Sequence, residues 1–107
     1  MTAPLQTILT ELRERLEALY GERLDRLVLF GSQARGDAEP DSDIDVLVVL
    51  KGEVDWGREI QTVVPVTADL CLRHHRFVSC SFVSARQYHH DLDEPLLINV
   101  RRDGIAV

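Results

Sequence analysis

Lysine is almost missing from this chain. Lys51 is the single one among 107 residues, and 12 basic side chains against 18 acidic ones leave a formal net charge of -6. A protein that grips a nucleic-acid backbone through its overall field needs clustered lysine and arginine, so direct nucleic-acid binding is not expected. Arginine is commoner but falls in separate pairs, such as Arg13 with Arg15 and Arg101 with Arg102, which read as solvated helix faces and strand borders. Long apolar runs are missing too, so no membrane span is expected. The first twenty residues carry charge throughout, which does not fit a secretory leader, and a cytoplasmic protein is the expectation. The only two cysteines, Cys71 and Cys80, have no zinc spacing and are expected as reduced thiols. Repeats, low-complexity tracts and linkers are absent. At 107 residues the chain fits one domain, 1–107, with room for a real core.

What is present is an alternation of helical and extended patterns. Leu5, Ile8, Leu9, Leu12, Leu16 and Leu19 recur at three and four, predicting an amphipathic helix from Pro4 to Tyr20, with Thr2 able to cap it and Gly21 to end it. Strands are predicted over Asp25–Phe30 and Ile44–Leu50. The second is apolar on both faces and is expected to be central and covered on both sides. A turn region at 52–57 leads into a helix running from Trp56 toward Arg73, with a kink or break expected at Pro65. A third strand is predicted over Phe77–Val83. Ser84 and Gln87 then fit a capping box for a short helix carrying Tyr88, and a last helix spans Pro95–Arg102 with Gly104 as its stop. The fold class is α/β, a small sheet with helices.

The most informative stretch is residues 31–45, GSQARGDAEPDSDID. Gly31 and Ser32 follow the first strand, where glycine lets the backbone approach a ligand and the serine hydroxyl and amide can bind phosphate oxygens. If SQAR opens a short helix, its free amides face the same phosphate. Asp43 and Asp45 lie two apart ahead of an apolar strand. In extended backbone such side chains share a face about 7 Å apart and can hold the same hard cations. Together these parts suit nucleotidyl transfer with Mg2+ and a nucleoside triphosphate, two ions flanking an in-line displacement at the α-phosphorus.

GSQARG followed by SDIDVLVV resembles the minimal nucleotidyltransferases of the DNA polymerase β superfamily, whose pattern is GS, a short spacer and DxD. The resemblance covers nearly the whole chain and implies a polymerase β-like fold, a mixed sheet with helices packed against it. In this short form it is similar to antitoxins paired with HEPN-family toxins, which are RNases. The resemblance implies transfer of AMP from ATP to a tyrosine of the toxin. By the same resemblance, Gly31 and Ser32 would hold the nucleotide phosphates, and Asp43 and Asp45 would be catalytic and bind Mg2+. Arg35 is a nucleotide-binding candidate, with a solvated or structural role as the alternative. One departure stands out: the superfamily often places a third acid on the next strand, and FVSCSFV offers Ser79, Cys80 and Ser81 there. Asp69, Asp91, Asp93 and Glu94 do not obviously substitute. Two other readings therefore stay open: a protein that neutralises a toxin by contact alone, or a transferase acting on a small molecule or RNA.

Outside the motif, His74–His75 and His89–His90 read as solvated helix ends. Tyr20 and Tyr88 read as packing residues, and Trp56 as an anchor for the long helix or an interface residue. The C-terminal LLINV and IAV are expected to leave apolar surface for a partner.

Overall fold

The computed structural model describes residues 3–39, 42–91 and 93–107. Thr2, the expected cap, lies outside them. The leucine stripe forms helix α1, Ala3–Tyr20, and Leu5, Ile8, Leu9, Leu12 and Leu16 are buried. A 3-10 turn at Gly21–Arg23 leads into strand β1, Leu24–Phe30. The four-residue helix α2, Ser32–Arg35, follows at once, and the chain returns as β2, Ile44–Leu50. Helix α3 spans Trp56–His74 and feeds β3, Val78–Ser84. Helices α4, Ala85–His90, and α5, Pro95–Asp103, precede β4, Ile105–Ala106. No described helix is long and apolar enough to cross a membrane.

The sheet order is β3-β2-β1-β4. Consecutive β1 and β2 run antiparallel, whereas β2 and β3 are parallel because α3 carries the chain back between them. As expected, β2 is central. On one face Leu27, Leu29, Val46, Val48 and Phe82 meet α1 and α3; on the other Val28, Leu47, Val49 and Val83 meet Leu97 and Val100 of α5. The capping box is also present: the Ser84 hydroxyl accepts from the Gln87 amide, and the Gln87 side chain accepts from the Ser84 amide.

Three expectations differ from the structure. Helix α3 runs through Pro65 without the break that was one of the two outcomes expected there. Pro65 sits on the exposed side, where the carbonyl it leaves unpaired faces water, and buried Val63, Val66 and Leu70 hold both halves to the core. The LLINV segment does not lie open as a whole, because Leu97 and Val100 fill the second core, although Ile98 is exposed. Finally, IAV joins the sheet, a strand not expected from the sequence: Ile105 and Ala106 pair with Leu29 and Val28, and the Val107 amide donates to the Leu27 carbonyl, while Ile105 and Ala106 stay exposed and leave the apolar surface that was expected.

Candidate active site

The end of β1 and the start of β2 are neighbours in the antiparallel register, with Phe30 opposite Asp45. The turn leaving β1 therefore lies beside the aspartates. Gly31 has φ 75° and ψ -156°, a backbone state that residues with a Cβ rarely adopt. It also has no room for one: a Cβ there would lie 2.7 Å from Oδ2 of Asp45. Glycine is required on both counts, and its absent side chain is the space into which the Asp45 carboxylate fits.

Helix α2 starts directly after this contact. The amides of Ala34 and Arg35 donate to the Gly31 carbonyl, so the Ser32 and Gln33 amides lie ahead of the first helical hydrogen bonds. Ala34 packs against the α1/α3 core, and left-handed Gly36 closes the helix. The returning loop is tied back by the Gln33 side-chain amide, which donates to the Ser42 carbonyl at 3.2 Å. Local sequence thus builds a short, anchored turn beside two carboxylates.

Those carboxylates are not equivalent. Asp43 is exposed just before β2, while Asp45 is inside the strand and half-buried. Burial pushes the Asp45 carboxyl above the ordinary aspartate range and the charge of Asp43 pushes the same way, with the Arg35 guanidinium opposing both. Among the described residues no hydrogen-bond donor satisfies the Asp45 carboxylate. Two hard oxygen donors, one crowded by the other's charge, form a donor set that a divalent cation fits. Among the described residues no group of three His, Cys, Asp or Glu side chains could hold a metal, so the two aspartates stand as a pair.

Arg35 lies close enough to act on Asp45 electrostatically, yet its guanidinium is also tied down. Its Nε donates to Asp37 at 3.2 Å and Nη1 to Asp103 at 3.4 Å. Asp103 ends α5 and was not visible as a site neighbour in the sequence: it is 68 residues from Arg35, and nothing local marks the pairing. The third-acid question takes a definite form here. The parallel register sets Ser79 directly across from Asp45, so a hydroxyl stands at that point of β3. Asp69 is far from this role; it pairs with Arg15 and Arg73 between α1 and α3. Glu94 caps α5 through the Leu97 amide.

The remaining candidates have structural partners. His74 lies 3.5 Å from Glu11 and His89 lies 3.9 Å from Asp25. The Tyr88 ring sits between the Arg26 and Arg101 guanidinium groups. Tyr20 is buried and donates to Glu59, while Trp56, half exposed, packs edge-on against Phe82. Both cysteines are free, and burial pushes the Cys80 thiol up to about 12.

A mixed four-stranded sheet with a Gly-Ser turn abutting a strand-borne aspartate pair defines a nucleotidyltransferase domain. The chain belongs to that family: the model of the nucleotidyltransferase domain matches residues 9–88. Two proteins of Methanocaldococcus jannaschii named as candidate protein adenylyltransferases are similar to it. MJ0141 is 33% identical over 72 residues, covering 67% of this chain and 72% of its own length, and MJ0604 is 30% identical over 89 residues, covering 83% of each. Among solved structures, a candidate nucleotidyltransferase from Sulfolobus solfataricus superposes with a TM-score of 0.56 at 23% identity, over 99% of this chain and 86% of that one. A toxin–antitoxin complex with AMP-PNP gives a TM-score of 0.57 at 20% identity, over 89% of this chain and 68% of that one. The toxin–antitoxin pair MntA–HpeT, in a form with two aspartates changed to glutamate, gives 0.56 at 18% identity over 94% and 69%. These structural likenesses concern the fold.

Proposed function

We propose that this chain is the cytoplasmic antitoxin of a toxin–antitoxin pair and transfers AMP from ATP to a tyrosine of a cognate HEPN-family RNase, silencing it. The observation that carries the reading is the contact between Gly31 and Asp45 beside Asp43. It leaves one unsatisfied, partly desolvated carboxylate, Asp45, beside the exposed Asp43 and next to free backbone amides, which suits a cation-bound triphosphate. Membership of the nucleotidyltransferase family supports the reaction type. The names of the Methanocaldococcus relatives support AMP as the group and protein as the acceptor, and the toxin–antitoxin neighbours support a toxin partner.

In this reading Asp43 and Asp45 hold Mg2+, which when bound would neutralise phosphate charge and help ionise the acceptor hydroxyl. The protein's own groups do the positioning. The Ser32 hydroxyl and the Ser32 and Gln33 amides bind phosphate oxygens, and Gly31 keeps the approach open. Arg35, held by Asp37 and Asp103, exchanges the exposed Asp37 for a phosphate oxygen. The toxin supplies the acceptor tyrosine.

The test uses α-labelled ATP, magnesium and the co-purified toxin, comparing wild type with Asp43→Asn and Asp45→Asn. Label should appear on a toxin tyrosine and vanish in both variants; undiminished transfer in both would reject the mechanism. A second reading, neutralisation by contact alone, draws on Ser79 standing across from Asp45 where the superfamily often carries an acid. Under it, an Asp43→Asn, Asp45→Asn double variant protects cells from the toxin as well as wild type does.

A further inference from the structure

The outer edge of the sheet differs from the rest of this acidic surface. Strand β3 has β2 on one side and no described strand on the other. Its seven residues, VSCSFVS, pair with β2 in unbroken register, so this edge is regular and about 23 Å long. It carries no charge, no proline and no bulge, the devices that keep an edge from pairing with another chain.

Helix α3 overhangs that edge with an apolar flank. At about 100° per residue, Glu59, Val63, Val66 and Leu70 point into the core, while Asp69 and Arg73 point toward α1, where they pair with Arg15 and Glu11. The opposite flank carries Trp56, Ile60 and Val64, exposed at 48%, 44% and 47%. Gly57, Gln61, Thr67, Ala68 and Cys71 lie on the same side, so the flank from Trp56 to Cys71 has no ionisable group other than one thiol. The edge-on contact of Trp56 with Phe82 fixes this flank against β3.

The two ends of the edge carry opposite charge, and of the acids at one end Asp91 makes no ion pair among the described residues while Glu94 also caps α5. Arg76, two residues before β3, makes no ion pair among the described residues, and its Nε is buried without a hydrogen-bond partner. At the other end Asp91 and Glu94 line a cavity of about 150 Å3 with Trp56, Phe82 and Val83. Arg76 is a strand length away from them within one chain. A second copy related by a two-fold axis, β3 antiparallel to β3, would bring each Arg76 to the other copy's Asp91 and Glu94.

From the uncharged edge, the apolar flank and this end-to-end charge pattern, we infer that two copies of the chain associate through β3 and α3 into one continuous eight-stranded sheet. In a chain of net charge -6, an uncharged edge and flank add no like-charge repulsion between copies. The half-exposed Trp56, Ile60 and Val64 of both copies, the two paired edges and the charge contacts at each end would together form the interface, which needs roughly 1,000 Å2 to be specific.

The full chain is examined by light scattering on a sizing column and by sedimentation over a concentration series, without any toxin. Wild type should run at twice the 12.1 kDa chain mass and dissociate on dilution. Ile60→Asp and Arg76→Asp should each raise the dissociation constant at least tenfold while leaving the far-ultraviolet spectrum and the melting curve of the monomer intact. The reversed pair Arg76→Asp with Asp91→Arg should recover most of the affinity, which a general loss of packing would not. A chain that stays monomeric at high micromolar concentration overturns the inference and leaves the face to a foreign partner. A dimer indifferent to both single variants overturns it equally.

Discussion

Two carboxylates in this protein experience burial with opposite outcomes. Glu59 is 1% exposed, and burial alone would push its pKa up. The Asp55 amide, the Arg58 guanidinium and the Tyr20 hydroxyl outweigh that and hold it below the ordinary glutamate range. Asp45 is less buried, yet it is left without a donor, faces the like charge of Asp43, and sits above the ordinary range. A carboxylate that secures the fold is surrounded by hydrogen-bond donors. Asp45 is left short of them, which suits the ligand-binding role proposed for it, and the fold tolerates the cost.

The largest effect that separates the two is on transfer and on stability respectively. Asp45→Asn should lower label transfer by a hundredfold or more, about 2.7 kcal/mol or above in the barrier, while the chain still folds. Glu59→Ala should do the reverse. It leaves the buried Tyr20 hydroxyl and the Asp55 amide at the start of α3 without their acceptor and should remove about 3 kcal/mol from unfolding stability by urea titration, with transfer per folded molecule unchanged.

Next in size is Gly31→Ala. The new Cβ must displace Asp45 Oδ2 and hold a left-handed φ, so ATP affinity by calorimetry should fall at least tenfold. Gly36→Ala, also at positive φ but with open space around it, should cost some stability and spare the affinity.

The pH dependence runs in opposite directions for the two groups. The depressed Glu59 contributes stability that is complete above the unfolded glutamate pKa and is lost as pH falls through its lower folded value. The raised Asp45 contributes stability present below the unfolded aspartate pKa and lost as pH rises through its folded value. Near neutrality an ionised Asp45 therefore weakens the unliganded protein, and Asp45→Asn should raise the melting temperature in calorimetric scans without metal. The smallest effect is expected for Ser79→Asp. A third carboxylate across from Asp45 should tighten divalent-cation binding severalfold, and crowding by like charge should lower the melting temperature of the metal-free protein.

Much of this contrast was legible beforehand on the ligand side and little on the structural side. Gly31, Ser32, Asp43 and Asp45 are marked by spacing along one strand–turn–strand segment, so local sequence was enough to nominate them as candidates, and the fold brings them together. Helices α1 and α4 and strand β2 were equally open to local reading, because leucine periodicity, a capping box and a two-faced apolar run are all short-range signals. Glu59 was not foreseen, since a glutamate in the first turn of a helix reads as solvent-facing until the fold brings Tyr20 to it across 39 residues. The same holds for Arg35 with Asp103, and for Ile105 and Ala106, whose strand is defined only by the β1 it meets. Pro65 shows the converse: a strong local rule gave way because the position faces water and its neighbours are pinned to the core.

Asp45, opened by Gly31 and crowded by Asp43, is in the proposed function a carboxylate held in readiness for a cation and a triphosphate. Calorimetric melting of wild type and Asp45→Asn, each with and without magnesium and ATP, tests it most directly. Magnesium with ATP should stabilise wild type in a concentration-dependent way and leave Asp45→Asn, already the more stable without ligand, unmoved. Equal stabilisation of both proteins, or none of wild type at millimolar ligand, would contradict it.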